Sequence, residues 1–300
     1  MQHALSRNDV VEVDYVGTQA VHLSQLYNLN IPVFGPGATT TNEQARRPQP
    51  ALGNVTQIAS DGNSIYQGLE FAFRHRYHAG FTMSSNFSFS KSIDDGSAPA
   101  NGLIGGVQPT LNHNFRRALS DFDQPFTWRS TAAWSTPALK GRSGVVRGIL
   151  GSWDLNGIFS VESGMPFSVT ASADNSLTGL SADFADLVPG VPLYISGQSQ
   201  GAYLAQAFNT SAFKPNAVGT FGNTGRNILR GPGLVDLDLG LAKNIPLTER
   251  WRLSFRSEFF NSLNHANFKN PGNGIGTPSF GQITAARDPR ILQLSLRLAF

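Results

Sequence analysis

The feature that most constrains this chain is a strict alternation of apolar and polar residues, carried through to the last residue. It is clearest in "ILQLSLRLAF", residues 291–300, where Leu292, Leu294, Leu296, Leu298 and Phe300 alternate with Gln293, Ser295, Arg297 and Ala299. Successive side chains of a strand point to opposite faces, so this pattern builds a strand with one apolar and one polar side. Chain ends usually fray; this one ends inside a strand pattern.

Seven earlier segments show the same period. Residues 9–17 set Val11, Val13 and Tyr15 against Glu12 and Asp14. Residues 64–77 set Leu69, Phe71 and Phe73 against Tyr66, Glu70 and Arg74. In 80–92, Phe81, Met83, Phe87 and Phe89 oppose a row of Ser, Thr and Asn. In 126–136, Phe126, Trp128, Ala132 and Trp134 oppose Thr127, Arg129 and Thr131. Residues 152–163 set Trp153, Leu155, Phe159 and Val161 against Asp154, Asn156, Ser160 and Glu162. Residues 234–244 set Val235, Leu237, Leu239 and Leu241 against Asp236 and Asp238. In 250–262, Trp251, Leu253, Phe255 and Phe259 oppose Arg252, Ser254, Arg256 and Glu258. Helical periodicity is nearly absent, and no internal repeat is visible.

The connections between these segments alternate in length. "YHAG" (77–80) and "IPLTER" (245–250) are tight, and 137–151 is moderate. Residues 18–63, 93–125, 164–233 and 263–288 are long and rich in Gly, Pro, Asn, Ser and Thr, which break strands. Long loops of this kind are rare in compact soluble domains. Short turns at one end and long loops at the other are the asymmetry of outer-membrane barrels, and the parity puts both chain ends on the short-turn side.

Composition narrows the classes. Only 14 % of residues are charged and the net charge is +3, against roughly 25 % charged in soluble domains. Mean hydropathy is −0.17. No apolar run of about 20 residues is present, which excludes a helical membrane protein but not a barrel. There is no cysteine, so neither disulfides nor thiolate metal sites exist. The Lys and Arg are scattered, which gives no nucleic-acid patch. The first residues lack a basic stretch followed by an apolar one and are no signal peptide.

Alternation alone also suits a soluble β-sandwich with its apolar face turned to a core. Three features favour a membrane wall. Several segments approach the roughly 9–11 residues of a tilted membrane strand. Aromatics gather towards the ends of the apolar faces (Tyr15, Tyr77, Trp128, Trp134, Trp153, Trp251) as in an interfacial girdle. The opposite faces carry charges of both signs, which a wet lumen accommodates and neighbouring strands can pair.

Three stretches carry a family resemblance: "YQGLEFAFRHRYHAGFTMSSNFSFSKSIDD" (66–95), "SDFDQPFTWRSTAAWSTP" (120–137) and "FGNTGRNILRGPGLVDLDLGLAKNIPLTERWRLSFRSEFFNSLNHANF" (221–268). Together they resemble the C-terminal part of TonB-dependent outer-membrane transporters of the Oar-like group. The resemblance implies a barrel of about 22 strands enclosing a plug, and a segment before the plug that couples to the TonB complex. It also implies that Phe300, with apolar residues at every second position before it, resembles the signal read by the barrel-assembly machinery. The 300 residues match the last third of such a protein. Plug domain, coupling segment, signal peptide and a carboxypeptidase-like N-terminal domain are absent from it and are expected upstream of Met1. On this reading residues 1–300 are the C-terminal portion of one barrel domain in the bacterial outer membrane. The expected fold is all-β: an antiparallel up-and-down transmembrane β-barrel segment of about eight strands. The edges near 9–17 and 291–300 should lack their neighbours, giving an open curved sheet that folds poorly alone.

The expected lumen-facing charges are Glu70, Arg74, Arg129, Asp236, Asp238, Arg252, Arg256, Glu258 and Arg297, with Asp236 and Asp238 expected to meet Arg252 or Arg256 on the adjacent strand. Asp121 and Asp123 of "SDFD" lie on the loop side. They read either as cation or substrate ligands at the extracellular mouth or as side chains capping a turn. The six histidines (His3, His22, His75, His78, His113, His265) show no helical metal spacing, "GNGIG" (272–276) follows no strand-to-helix unit, and no GxSxG elbow occurs. No cofactor, metal or catalytic constellation is expected. The basic run "FRHRYH" (73–78) could touch anionic lipid at the short-turn rim. Loop aromatics (Tyr27, Phe34, Phe115, Phe184, Tyr194, Tyr203, Phe208, Phe213, Phe221) could stack on a saccharide, or pack the loops together.

Three functions follow from these readings. The first is substrate passage through a TonB-dependent transporter, with lipid, assembly machinery and an extracellular substrate as partners. The second is a barrel serving surface adhesion. The third is a soluble carbohydrate-binding sandwich. Loop composition is too degenerate to name a substrate.

Overall fold

The structure, a computed structural model, describes residues 1–97, 104–108 (main chain only), 116–179 and 183–300. His113 and Phe115 lie outside the described residues. Nine strands form one antiparallel path in chain order: β1 (Gln2–Ala4), β2 (Asp9–Asn28), β3 (Thr56–His78), β4 (Phe81–Asp94), β5 (Phe126–Ser135), β6 (Trp153–Glu162), β7 (Leu234–Pro246), β8 (Arg252–Phe260) and β9 (Ile291–Ala299). Strands β2 to β9 coincide with the eight segments that the alternation marks. The path is open, because β1 and β9 do not pair with each other.

Four differences from the expectation have physical reasons. First, β2 and β3 run on through residues 18–28 and 56–63, which read as loop. Their ladder continues from Thr18↔Tyr66 to Asn28↔Thr56 with register shifts around Leu23. At about 3.3 Å per residue these strands far outrun a membrane; beyond it no face has to be apolar, so the alternation stops while the ladder persists. Second, β1 lies against Val10, Val11 and Glu12, so residues 9–17 are not wholly bare at the edge. The turn between them is closed by Leu5 N and Ser6 N donating to Asp9 O, and by Ser6 Oγ donating to Asp9 Oδ2 at 2.6 Å. Third, the moderate connection after β5 holds a short helix, α1 (Gly144–Leu150), capped by Ser143. Fourth, α2 (Gln200–Ala205) lies within the long loop before β7.

The tight connection after β3 shows how sequence sets the hairpin. Ala79 and Gly80 both adopt positive φ, 49° and 84°, as a two-residue type I′ turn requires. A side chain at Gly80 would strike the carbonyl of Ser135 on the next strand.

Along the apolar face aromatics form two belts. Phe81, Trp134 and Leu155 are aligned near the short turns; Tyr15, Leu69, Phe89 and Phe126 are aligned near the loops. Phe81 and Phe89 are eight residues apart on β4, about 27 Å along an antiparallel strand. That is close to the apolar band of about 25 Å on outer-membrane barrels once strand tilt shortens it. Among the described residues no second sheet covers this face, and Leu294 and Leu296 of β9 are 72 % and 68 % exposed. A sandwich would bury them, so that expectation is overturned.

The buried apolar core lies instead in the loops. Phe167, Val169, Ala185, Ala207, Phe208, Ala212, Phe213, Leu229 and Ile283 form one cluster drawn from the loops after β6 and β8. Phe208 is at its centre, with ring centroids 5.9 Å from Phe167, 5.6 Å from Phe213 and 5.4 Å from Phe280.

Candidate functional site: the charged face and the clamp beneath the loops

Register places all nine expected charges on one face. Across neighbouring strands Arg74 faces Ser84, Glu70 faces Ser88, Arg129 faces Asn86 and Ser160, Asp236 faces Ser160, and Asp238 faces Ile158. Arg256 faces Ala242 and Ser295, Glu258 faces Gly240 and Gln293, Ser254 faces Arg297, and Arg252 faces Ala299. Most partners are small or polar; Ile158, Val10 opposite Arg74 and Pro246 opposite Arg252 are the apolar ones. The opposite face is mainly apolar, as the period-two pattern dictates, with a few polar residues such as His75, Ser85, Ser130, Lys243 and Ser257 on it.

The pairing on this face differs from the expectation in one respect. Asp236 and Asp238 do not meet Arg252 or Arg256: Arg256 Nη2 pairs with Glu258 on its own strand at 2.5 Å, and Asp238 Oδ1 accepts from Asn261 N at 2.9 Å. The reason is register. Arg256 is opposite Ala242, four residues nearer the short turns than Asp238, which is about 13 Å along a strand. Arg74 pairs with Glu12 at 3.1 Å, and Arg129 pairs with Glu162, whose other oxygen accepts from Gln124 Nε2 at 3.1 Å. Among the described residues Glu70, Asp236, Asp238, Arg252 and Arg297 form no ion pair.

Two hollows open on this face. One, of about 470 Å³, is lined by Thr131, Asn156, Asp238, Gly240, Arg256 and Glu258. Gly240 leaves room there for the Asn156 amide directly opposite, which would have to turn aside if a Cβ were added. The other, of about 380 Å³, is lined by Glu12, Asp14, Glu70, Arg74 and Arg129. Mixed charges of both signs in shallow hollows can hold water and small polar solutes; no group of three metal-ligating side chains occurs among the described residues.

At the loop end of the same strands lies a belt of buried charges. Asp123, 1 % exposed at its side chain, pairs with Arg230 at 2.5 Å and accepts from Ser92 N at 2.6 Å. Asp94 pairs with Arg226 at 2.5 Å and accepts from Ser97 Oγ. Asn227 Nδ2 donates to Asp121 Oδ1 at 2.6 Å and to Leu119 O at 2.7 Å. Asp95 accepts from Asn63 N at 2.8 Å and lies 3.6 Å from Arg117. The Tyr27 hydroxyl donates to the Asp61 carboxylate, 2.9 and 2.8 Å from its two oxygens, and Asp61 lies 3.8 Å from Arg116, which stacks over the Tyr27 ring. Asp121 and Asp123 therefore act as clamps between long loops more than a hundred residues apart. Sequence reasoning missed Asp61, Asp94, Asp95, Arg116, Arg226 and Arg230. The adjacent acids of "SIDD" and the spaced arginines of "GRNILR" were the available signals.

The loop aromatics mostly pack inward. Tyr27, Phe208 and Phe213 are buried, Tyr203 packs on the loop core, and the Tyr194 hydroxyl accepts from Arg230 N at 2.8 Å. Phe34 is half exposed and lies against Gly219. A lateral contact links the first and third long loops: Arg46 Nη2 donates to Leu177 O at 2.7 Å. Beside it Glu43 approaches Asp174; burial and this like-charged neighbour push the Glu43 carboxyl above its usual range.

Residues 1–293 match the family described as outer membrane beta barrel domain. The chain belongs to the outer membrane beta barrel domain family. Among solved structures this barrel chain resembles the outer membrane transporter YddB from Escherichia coli, with a TM-score of 0.50 and 10 % identity, over 98 % of this chain and 31 % of that one. The likeness at that identity is one of fold, and the chain spans about a third of the solved transporter. No curated protein matches its sequence. Family and fold place this barrel in the outer membrane, with the apolar band and aromatic belts at the level of the lipid.

Proposed function

We propose that this outer-membrane barrel domain forms part of the wall of a TonB-dependent transporter of the Oar-like group and takes part in substrate passage. On this reading residues 1–300 are the C-terminal portion of one barrel of about 22 strands. The observation that carries it is the gathering of Glu70, Arg74, Arg129, Asp236, Asp238, Arg252, Arg256, Glu258 and Arg297 on one face, opposite a predominantly apolar face. That face lines the lumen, where a polar solute exchanges water for fixed charges of both signs. The folded loop layer covers the extracellular mouth, where Asp121 retains solvent access. Phe300, ring to ring with Trp251 at 5.1 Å, serves as the assembly signal. No catalytic step is assigned.

Uptake of a panel of labelled oligosaccharides by cells carrying the complete protein tests this reading. Passage of at least one probe should stop when the gene is deleted and when the proton gradient is collapsed. Uptake indifferent to both would count against it. A second reading, surface adhesion, is favoured by one observation: the loop layer has its own hydrophobic core, more structure than a mere rim needs. Deletion would then reduce cell attachment and leave uptake unchanged.

A further inference from the structure

The apolar stripe of β7 contains one lysine. Lys243 follows Leu237, Leu239 and Leu241 at alternate positions and is opposite Trp153 and Phe255 on the apolar face. A lysine directed at lipid costs about 2–4 kcal/mol at mid-membrane and little near the rim. Lys243 nevertheless is only 5 % exposed. Its ammonium donates to Gly151 O at 2.7 Å and Ile149 O at 3.2 Å, and sits 4.7 Å from the centre of the Trp153 ring. Trp153 Nε1 also donates to Ile149 O, at 2.7 Å. These bonds satisfy the last carbonyls of α1, so they fix that helix end on the lipid side of the wall, at the short-turn rim.

The helix itself is unpartnered. Val145, Ile149 and Leu150 are 72 %, 60 % and 61 % exposed, and Val146 is also open. Soluble proteins do not hold such a cluster in water without cause. The flanking charge is of one sign: Lys140, Arg142 and Arg147 are all exposed, and residues 137–152 contain no Asp or Glu. Apolar residues with cations on one short segment, continuous with a lipid-facing wall, match an interfacial element lying in the membrane plane.

We propose that α1 is an in-plane anchor on the periplasmic leaflet. Val145, Val146, Ile149 and Leu150 enter the acyl boundary, and Lys140, Arg142 and Arg147 meet the phosphates of anionic phospholipid. The occupant of this face is the leaflet that already bathes the adjoining apolar band. Lys243 and Trp153 are the positioning residues: they convert a flexible connection into a helix held at fixed depth. The inference rests on the assignment of the two faces above, and not on what the barrel transports.

These 300 residues contain no cysteine, so once any cysteine elsewhere in the complete protein is replaced, single spin labels can be placed here at will, in protein reconstituted in bilayers of phosphatidylethanolamine and phosphatidylglycerol. Labels at Val145→Cys and Leu150→Cys should be reached several-fold more readily by oxygen than by a water-soluble nickel complex, unlike one at Val218→Cys in the loops. Replacing Lys140, Arg142 and Arg147 together by Glu, or using only zwitterionic lipid, should shift both α1 labels towards water. Water-exposed α1 labels in the wild-type background would overturn the proposal, and burial indifferent to lipid charge would overturn its anionic part. Labels at Leu294→Cys and Ser295→Cys keep the two readings apart. If Leu294 is in lipid and Ser295 in water while α1 is aqueous, only the anchor fails; if Leu294 is aqueous, the assignment of faces fails with it.

Discussion

Arg230 grips Asp123 from two directions: its Nη2 lies 2.5 Å from Asp123 Oδ2 while its Nη1 donates to the main-chain oxygens of Asp123 and Gly164, each at 2.7 Å. The two residues are 107 positions apart in sequence and belong to different long loops. The carboxylate is buried, and Arg230 and Ser92 N are the groups that bond it. Buried ion pairs add less net stability than their attraction suggests, because both charges lose water; removing one partner is far more harmful.

The first prediction follows from that asymmetry. Arg230→Met should destabilise the loop layer by about 3–5 kcal/mol, since it leaves Asp123 charged and buried. The double variant with Asp123→Ala should cost less than the sum of the two single changes. Protease sensitivity of the surface loops under increasing urea measures both; additive losses would show that the pair is not coupled.

A second prediction separates loop core from wall. Phe208→Ala removes the ring that contacts Phe167, Phe213 and Phe280 and should cost the loop layer about 3–5 kcal/mol. Because the strands share no side chain with that cluster, resistance of the wall to unfolding in detergent should be unchanged. Loss of the wall together with the loops would contradict this.

The two faces of β9 give a third. Leu294→Arg should destabilise the inserted protein by about 2–4 kcal/mol, and Ser295→Arg, one residue along, by much less. Yield of folded protein in the outer membrane, scored by its shift on unheated gels, compares them. Equal yields would mean that Leu294 does not face lipid.

The fourth prediction concerns pH. Glu43 has its carboxyl pKa raised above 4.5, first by burial and then by Asp174. A carboxyl raised on folding binds its proton more tightly when folded, so its ionisation weakens the contact above the raised pKa. Lowering pH from neutral towards the ordinary glutamate range should therefore tighten the contact between the first and third loops. Glu43→Gln should remove that pH dependence and tighten the contact at neutral pH. Hydrogen exchange over residues 29–55 reads it; slower exchange at neutral pH than at mildly acidic pH in the wild type would reverse the sign.

The sequence by itself determined the wall. A period of two leaves no choice of face, so "ILQLSLRLAF" and its seven counterparts fixed the strands, their two sides and the single face holding Glu70, Arg74, Arg129, Arg256 and Arg297. The same rule failed where its cause is missing. Residues 18–28 and 56–63 stand beyond the membrane and need no alternation, so their strands were invisible. The mates of Asp236, Asp238, Asp123 and Lys243 were decided only by tertiary structure. Register sets which charges lie level across strands, and loops more than a hundred residues apart supply the clamps. A lysine in a lipid-facing stripe reads as an error in the pattern until the helix end it satisfies is folded onto it.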